Sequence, residues 1–394
     1  METSYNLEER FRAHFAGEGR LYRAPGRVNL IGEHTDYNDG FVLPAAINFD
    51  CWVAVSPRPD TKLIVRSDDF DQTCQVDLSE NTLRPSKTWS DYVVGVAVHL
   101  KNAGYQLTGA NALIHGEVPI GAGLSSSAAI EVASAYAFLD IADCRIDRVQ
   151  LAKLCQRAEN EFVGARCGIM DQFVSLHGRV GHALLLDCRS LEYELVPLPD
   201  SIKLVICNTM VKHELASGEY NRRRAECEEA VRRLSAVLRG IHALRDVNLQ
   251  QLDQQRTLLP ETILRRAYHV VSENARVLRA VAALRAGNIK EFGRAMAESH
   301  ESLRDFYQVS CSELDIMVQI ANQQRGTYGA RMTGGGFGGC TVNLVDSQHA
   351  EEFQRQVAHA YEQATGISPQ IYICSAANGA SAGTPEIQLR PPTP

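Results

Sequence analysis

One stretch limits what this chain can become. Residues 26–40 read GRVNLIGEHTDYNDG. Val28, Leu30 and Ile31 favour a pleated, half-buried strand. The strand then gives way to Glu33, His34, Asp36, Tyr37, Asn38 and Asp39, six polar groups within seven positions. Gly32 and Gly40 bracket them, and glycine takes backbone angles that other residues avoid. Such a loop, hung on the end of an apolar strand, suits a neutral sugar. Hydroxyls are donors and acceptors at once, and a carboxylate accepts two such donors together. The plainer reading is a solvated loop of turn-forming Asn and Asp.

The chain has 394 residues, too many for one ordinary core, so two domains are expected. We place the boundary near residues 197–200, giving units of 1–198 and 199–394. A formal net charge of −7 argues against nucleic acid as the main partner. Any anionic nucleotide must then be held by local positive potential or a metal. The eleven cysteines are scattered, with no C-x-x-C pair, which speaks against a zinc site and a disulfide framework. No secretion signal is read at the N-terminus, and no apolar run is long enough to span a bilayer. A cytoplasmic monomer is expected.

Along the chain, Leu7, Phe11 and Phe15 at i, i+4 spacing predict a short amphipathic helix. Strands are expected at residues 51–55, 63–65 and 112–118, with a turn at 57–60. A helix is expected over 89–100, its Tyr92, Val93, Val96 and Leu100 on one face. Another is expected over 149–162, carrying Glu159. Residues 225–324 read as mostly helical, with a helix stop at Gly287 and Asn288. The tail from Ala376, rich in Gly, Ser, Pro and Thr, is expected to be poorly ordered.

A second chemical stretch is PIGAGLSSSA at residues 119–128, followed by an Ala-rich run that predicts a buried helix. The first N–H groups of a helix are unpaired and its N-terminal dipole end is positive. Glycines let the chain approach phosphate, and serine hydroxyls add donors or a magnesium ligand. No Gly-Lys-Ser/Thr follows, so this is not the Walker loop. A third stretch, CGIMDQ at 167–172, sets Asp171 among apolar neighbours, where a carboxylate needs a partner. In GARMTGGGFGGC at 329–340, Gly334, Gly336 and Gly339 satisfy G-x-G-x-x-G. A strand follows instead of a helix, which removes the dinucleotide reading.

The string GRVNLIGEHTDY at 26–37 resembles the galactokinase signature. Residues 119–128 resemble the ATP loop of the wider GHMP kinases, 167–172 the segment that carries the catalytic aspartate, and 329–340 the third GHMP motif. That resemblance runs from about Arg23 to Gly379. It implies an α+β, two-domain GHMP kinase fold with the active site in the cleft between domains. It also implies phosphoryl transfer from ATP to the C1 hydroxyl of galactose, with Mg²⁺. Carried over by position, Arg27 and Asp171 form the catalytic pair. Arg27, Glu33, His34, Asp36, Gly168, Asp171 and Tyr220 would bind the sugar. Gly121, Ala122, Gly123, Leu124, Ser125, Ser126 and Ser127 would hold the phosphates, with Ser127 and Glu159 on the metal. Galactose and ATP are the expected partners, and neither nucleic acid nor membrane is. Two rivals share these motifs: a kinase for N-acetylgalactosamine or arabinose, and a galactose sensor without activity. Sensors of that kind have lost residues directly after the serine loop, and Ser127 and Ala128 are present here.

Overall fold

The computed structural model describes residues 2–80, 82–212 and 216–382. In chain order its helices and strands are α1 (Glu2–His14), β1 (Arg20–Asn29), β2 (Phe41–Val42), β3 (Pro44–Arg58), β4 (Lys62–Ser67), β5 (Gln72–Asp77), α2 (Asp91–Asn102), β6 (Gly109–Gly116), α3 (Ser126–Ile141), α4 (Arg148–Arg157), α5 (Met170–His177), β7 (His182–Asp187), β8 (Tyr193–Pro197) and β9 (Ile202–Lys212). Then come α6 (Ala216–Ser235), α7 (Leu249–Gln254), α8 (Glu261–Arg285), α9 (Ile289–Ser302), α10 (Ser312–Asn322), β10 (Thr327–Thr333), β11 (Gly338–Asp346), α11 (Ala350–Thr365), β12 (Gln370–Cys374) and β13 (Ser381–Ala382).

Three sheets organise these elements. The first runs β13-β1-β3-β6-β4-β5, antiparallel except between β4 and β6. The second runs β10-β11-β9-β12 and the third β2-β7-β8. The expected boundary at 198/199 falls between β8 and β9, where one sheet ends and the next begins. The main hydrophobic cluster nevertheless continues across it, from Val28 and Leu30 through Ile202 and Leu204 to Phe292 and Val342.

Helix α3 explains how the site is assembled. Ala128, Ala129, Ala133, Ala135 and Ala137 are all fully buried, and their small side chains let α3 lie close on β1 and β3. A larger residue in such a seam costs roughly 1–3 kcal/mol. This docking carries the N-terminus of α3 to the end of β1. There a register shift between Pro25 and Arg27 turns the strand, as bulges beside functional sites do.

The expected helices and strands are found, with instructive exceptions. Helix α1 packs Leu7 and Phe11 against Ala54 and Leu113. β1 stops at Asn29, earlier than the apolar run suggests. Leu30 and Ile31 stay buried because Leu30 N–H donates to the Leu43 carbonyl and Leu43 N–H to that of Ile31. Pro57 lies inside β3, not in a turn. β1 pairs with β3 only as far as Val55, so Pro57, opposite Ala110 of β6, lies where β3 has a neighbouring strand on one side alone and a missing N–H is tolerated. The expected helix over 149–162 divides into α4 and a π-helical turn, Ala158–Val163, which holds Glu159. All eleven cysteines are free, most of them buried.

The tail expectation is corrected between Ala376 and Ala382. Ala377 N–H donates to Ala46, Gly379 N–H to Gly178 and Ala380 N–H to Ser175, and β13 pairs with β1. Small residues make this return to the first sheet possible, and they are the same residues whose composition suggested disorder. Residues 383–394 lie outside the described residues, as do 213–215 of the stretch leading to Tyr220.

Candidate active site

Arg27, at the bulge of β1, is 5% exposed and meets Asp171 on the first turn of α5. Its Nε donates to Oδ1 at 2.7 Å and its Nη2 to Oδ2 at 2.6 Å. Nη1 donates to the Gly123 carbonyl at 2.6 Å, and the Arg27 N–H to that of Leu124 at 3.0 Å. The ATP-loop stretch is thus tied to the arginine by backbone. Ser125 caps α3 with a left-handed backbone, φ 59°, uncommon for a residue other than glycine and frequent at functional sites. Its hydroxyl donates to Asp171 Oδ2 at 2.5 Å. Ser125 is therefore committed to the aspartate. Ala122 and Leu124 are buried and offer a phosphate only backbone. Gly121, Gly123, Ser126 and Ser127 remain more open.

The glycine stretch between β10 and β11 backs this loop. A side chain at Gly334 would meet the Gly123 carbonyl at 2.8 Å, and one at Gly339 the Ala122 carbonyl at 3.0 Å.

The polar loop after β1 forms the other wall. Glu33 is 2% exposed and accepts from the Gly334 N–H at 2.7 Å. Burial raises its pKa, opposed by Arg331 and then Arg27. Asp36 is raised to about 7 by burial, and further by the nearby negative charges of Asp171 and Glu33. It lies so close to Gly168 that an added Cβ would fall 2.0 Å from its Oδ2. His34, buried and left-handed at φ 62°, sits among Tyr37, Tyr220 and Tyr307, with ring centroids 5.9, 5.5 and 4.7 Å away. Burial lowers its pKa well below the usual histidine range, so the ring is neutral. Nδ1 bonds Tyr37 Oη at 2.8 Å, while Nε2 has no partner.

On the far side of Asp171, Glu159 is 7% exposed and raised to about 7 by burial and by Asp171, with the Ser127 hydroxyl opposing that rise. Gln172 Nε2 donates to Glu159 Oε2 at 2.6 Å and to Glu131 Oε2 at 3.0 Å. Glu131 is fully buried and pushed well above the carboxylate range by burial and by Glu159. The carboxyls of Asp171, Glu159 and Glu131 thus follow one another here, although among the described residues no three or more Asp, Glu, His or Cys side chains are grouped to hold a metal ion by themselves.

A galactokinase galactose-binding signature matches residues 9–57, and the N-terminal and C-terminal GHMP kinase regions match 91–179 and 280–363. A galactokinase of Roseiflexus sp. (strain RS-1) is 50% identical over 376 residues, 95% of each chain. The chain belongs to the galactokinase family. Another galactokinase, of Chloroflexus aggregans, is 48% identical over 92% of this chain and 93% of its own. The structure of Lactococcus lactis galactokinase complexed with galactose superposes with a TM-score of 0.93 at 38% identity, covering 96% of this chain and 99% of that one. A Methanococcus jannaschii mevalonate kinase shares the fold, with a TM-score of 0.67 at 19% identity.

Of the residues singled out from sequence, Arg27, Asp171, Gly123 and Ser125 meet directly, Asp36 stands against Gly168, His34 against Tyr220, and Glu159 near Ser127 and Asp171. Three others were missed. Glu131 sits four residues after Ser127, one helical turn on along the same face, and that spacing was legible. Gln172 adjoins Asp171. Arg331 had no local signal, since its partners lie about 300 positions away.

Proposed function

We propose that Arg27 and Asp171 are the working pair of a galactose 1-kinase. The chain is a galactokinase: it transfers the γ-phosphoryl group of ATP to the C1 hydroxyl of α-D-galactose, the first committed step of galactose breakdown. The observation that carries the residue assignment is the two-pronged Arg27–Asp171 ion pair, held between the sugar motif and the start of α3.

The sugar C1 oxygen forms a bond to Pγ while the bond from Pγ to the β–γ bridging oxygen breaks, and ADP leaves. With a loose transition state little proton removal is needed early. Both Asp171 oxygens already accept from Arg27, and Oδ2 also from Ser125. Asp171 therefore orients the anomeric hydroxyl and takes its proton late. A guanidinium has five N–H groups, and those on Nε, Nη1 and Nη2 that bind Asp171 and Gly123 occupy three. The remaining two stabilise charge growing on the γ-phosphoryl oxygens. The phosphates lie along residues 121–127, over the unpaired N–H groups that open α3.

Ser127 and Glu159 would hold Mg²⁺, a hydroxyl and a carboxylate being the few protein ligands such an ion takes beside phosphate oxygens. When bound, the ion neutralises charge on the transferring group. Glu33, His34, Asp36, Gly168 and Tyr220 would line the sugar. Residues 1–198 carry the sugar motif and ATP loop, and 199–394 close the site with the third motif. Among the described residues no helix is long and apolar enough to cross a membrane. A cytoplasmic monomer is our reading of the working state.

The decisive assay offers galactose, N-acetylgalactosamine, arabinose and 2-deoxygalactose separately with MgATP. Labelled phosphate should appear fastest on galactose. A higher kcat/KM for another sugar overturns the preference, and ADP release without sugar phosphate overturns the residue assignment.

A further inference from the structure

Among the described residues the largest fully buried side chain is a charged one, Arg331 on β10. A guanidinium in that position is costly unless paired. Its Nη1 donates to the Asn29 carbonyl at 3.0 Å and lies 3.5 Å from Glu33 Oε1, while Nε and Nη2 find no partner. Two residues on, and so on the same face of the strand, Thr333 shares its hydroxyl hydrogen between the Asn29 carbonyl and Glu33 Oε1, both at 3.2 Å. The Gly334 N–H reaches the same Oε1 at 2.7 Å. Three groups from one stretch thus converge on a single oxygen of Glu33. The other, Oε2, takes none of these bonds. The Asn29 side-chain amide lies near enough to this carboxyl to help hold its pKa down, without closing a hydrogen bond of normal geometry.

We propose that Arg331, with Thr333, is a positioning residue for the sugar: it pins Glu33 by Oε1 so that Oε2 is the oxygen presented to a sugar hydroxyl. This rests on the reading of Glu33 as a sugar ligand. Burial pushes that carboxyl's pKa up, and Arg331 is the foremost influence against it, ahead of Arg27 and the Gly334 N–H. The third motif then serves both substrates. Its glycines back the phosphate loop, and its strand end fixes the direction of the sugar-binding carboxylate. A buried acceptor of fixed direction rejects a sugar lacking the matching hydroxyl, because the charge is left unpaired.

The test uses the full chain with R331M, which removes the charge but keeps most of the length, alongside E33Q, R331K and the R331M/E33Q double variant. Galactose KM and ATP KM are measured separately, together with kcat/KM for each monodeoxygalactose. R331M should raise galactose KM about tenfold or more while ATP KM stays within about twofold. It should lose discrimination at the same hydroxyl as E33Q, and R331K should recover part of it. The double variant should be no worse than the poorer single, because both act through one carboxylate. Equal rises in both KM values, or losses that multiply in the double variant, would show a structural role only and overturn the proposal. If R331M does not fold, T333A takes its place. A galactose-specific rise in KM supports the proposal, and an unchanged galactose KM overturns it. E33Q with unchanged galactose KM removes the underlying reading of Glu33 instead.

Discussion

Arg27 and Asp171, 144 positions apart in the chain, meet through two parallel hydrogen bonds, from Nε to Oδ1 and from Nη2 to Oδ2. A planar guanidinium fork matches a carboxylate in this way, and an ammonium cannot. R27K should therefore keep a positive charge yet lose the geometry, with kcat lower by about 100-fold or more. Steady-state rates at saturating galactose and MgATP check this. A lysine variant within a few fold of wild type would show that charge alone suffices.

Asp171 should separate catalysis from binding. In D171N one oxygen becomes an NH₂ group that faces the Arg27 fork, so the pair is broken and no base remains. The orienting acceptor, the late proton acceptor and the Arg27 fork are lost together, so kcat should fall by about 100-fold or more. Galactose affinity, carried mainly by Glu33, Asp36 and their neighbours, should change by less than about fivefold. Calorimetric titration with galactose beside single-turnover rates distinguishes the two. Near-normal turnover in D171N would remove the aspartate from the mechanism.

Gly168 is bound to Asp36 by lack of space. In G168A the added carbon would fall 2.0 Å from Asp36 Oδ2, so the carboxylate must move. Galactose KM should rise about tenfold or more while ATP KM holds, because a displacement of about 1 Å in a positioned group is enough for such a loss. Gly339 makes the opposite case. It holds φ +80° and stands against the Ala122 carbonyl. G339A should strain the backbone, push on residues 121–125 and raise ATP KM, with galactose KM the less affected. Measuring both constants for both variants is the check, and the pattern fails if the two glycines do not separate by substrate.

Much of this site was legible because its chemistry is local in sequence. Glu33, His34 and Asp36 lie within one turn of chain, and Gly168 lies three residues from Asp171. What escaped was set by contacts between distant residues. Nothing near Ala376 announces that it bridges to Ile47, and the small residues that permit this read as disorder. Pro57 looked like a turn because Pro-Arg-Pro-Asp is turn chemistry, while its place in β3, past the end of β1 and opposite Ala110 of β6, is a fact of sheet topology. Arg331 is a plain strand residue until Glu33 comes beside it from the other end of the chain. The helix that holds Glu159 was found, but not its π-helical turn. A π-turn inserts one residue per turn and so re-aims the side chains after it.

Asp36 links function to pH. Its folded-state pKa of about 7 lies above the 3.8 of an ordinary aspartate, chiefly through burial and then through Asp171 and Glu33. The folded protein therefore holds more protons than the unfolded chain between about pH 4 and pH 7. Stability contributed by this group is complete below the unfolded value and is lost as pH rises through 7. D36N cannot ionise and escapes the loss. It should be more stable than wild type at pH 8, and its advantage should be smaller at pH 5, by about 2 kcal/mol after allowing for the group's partial exposure. Denaturant unfolding of both proteins at the two pH values checks the sign. The same variant should bind galactose more weakly at pH 8, where wild-type Asp36 is a carboxylate with acceptors on both oxygens and an amide has only one. An Asp36 that destabilises the empty fold at neutral pH while strengthening its hold on substrate is the trade expected where like charges are gathered for function. A D36N protein no more stable at pH 8 than at pH 5, relative to wild type, would show that the crowding of Asp36, Asp171 and Glu33 is relieved in solution.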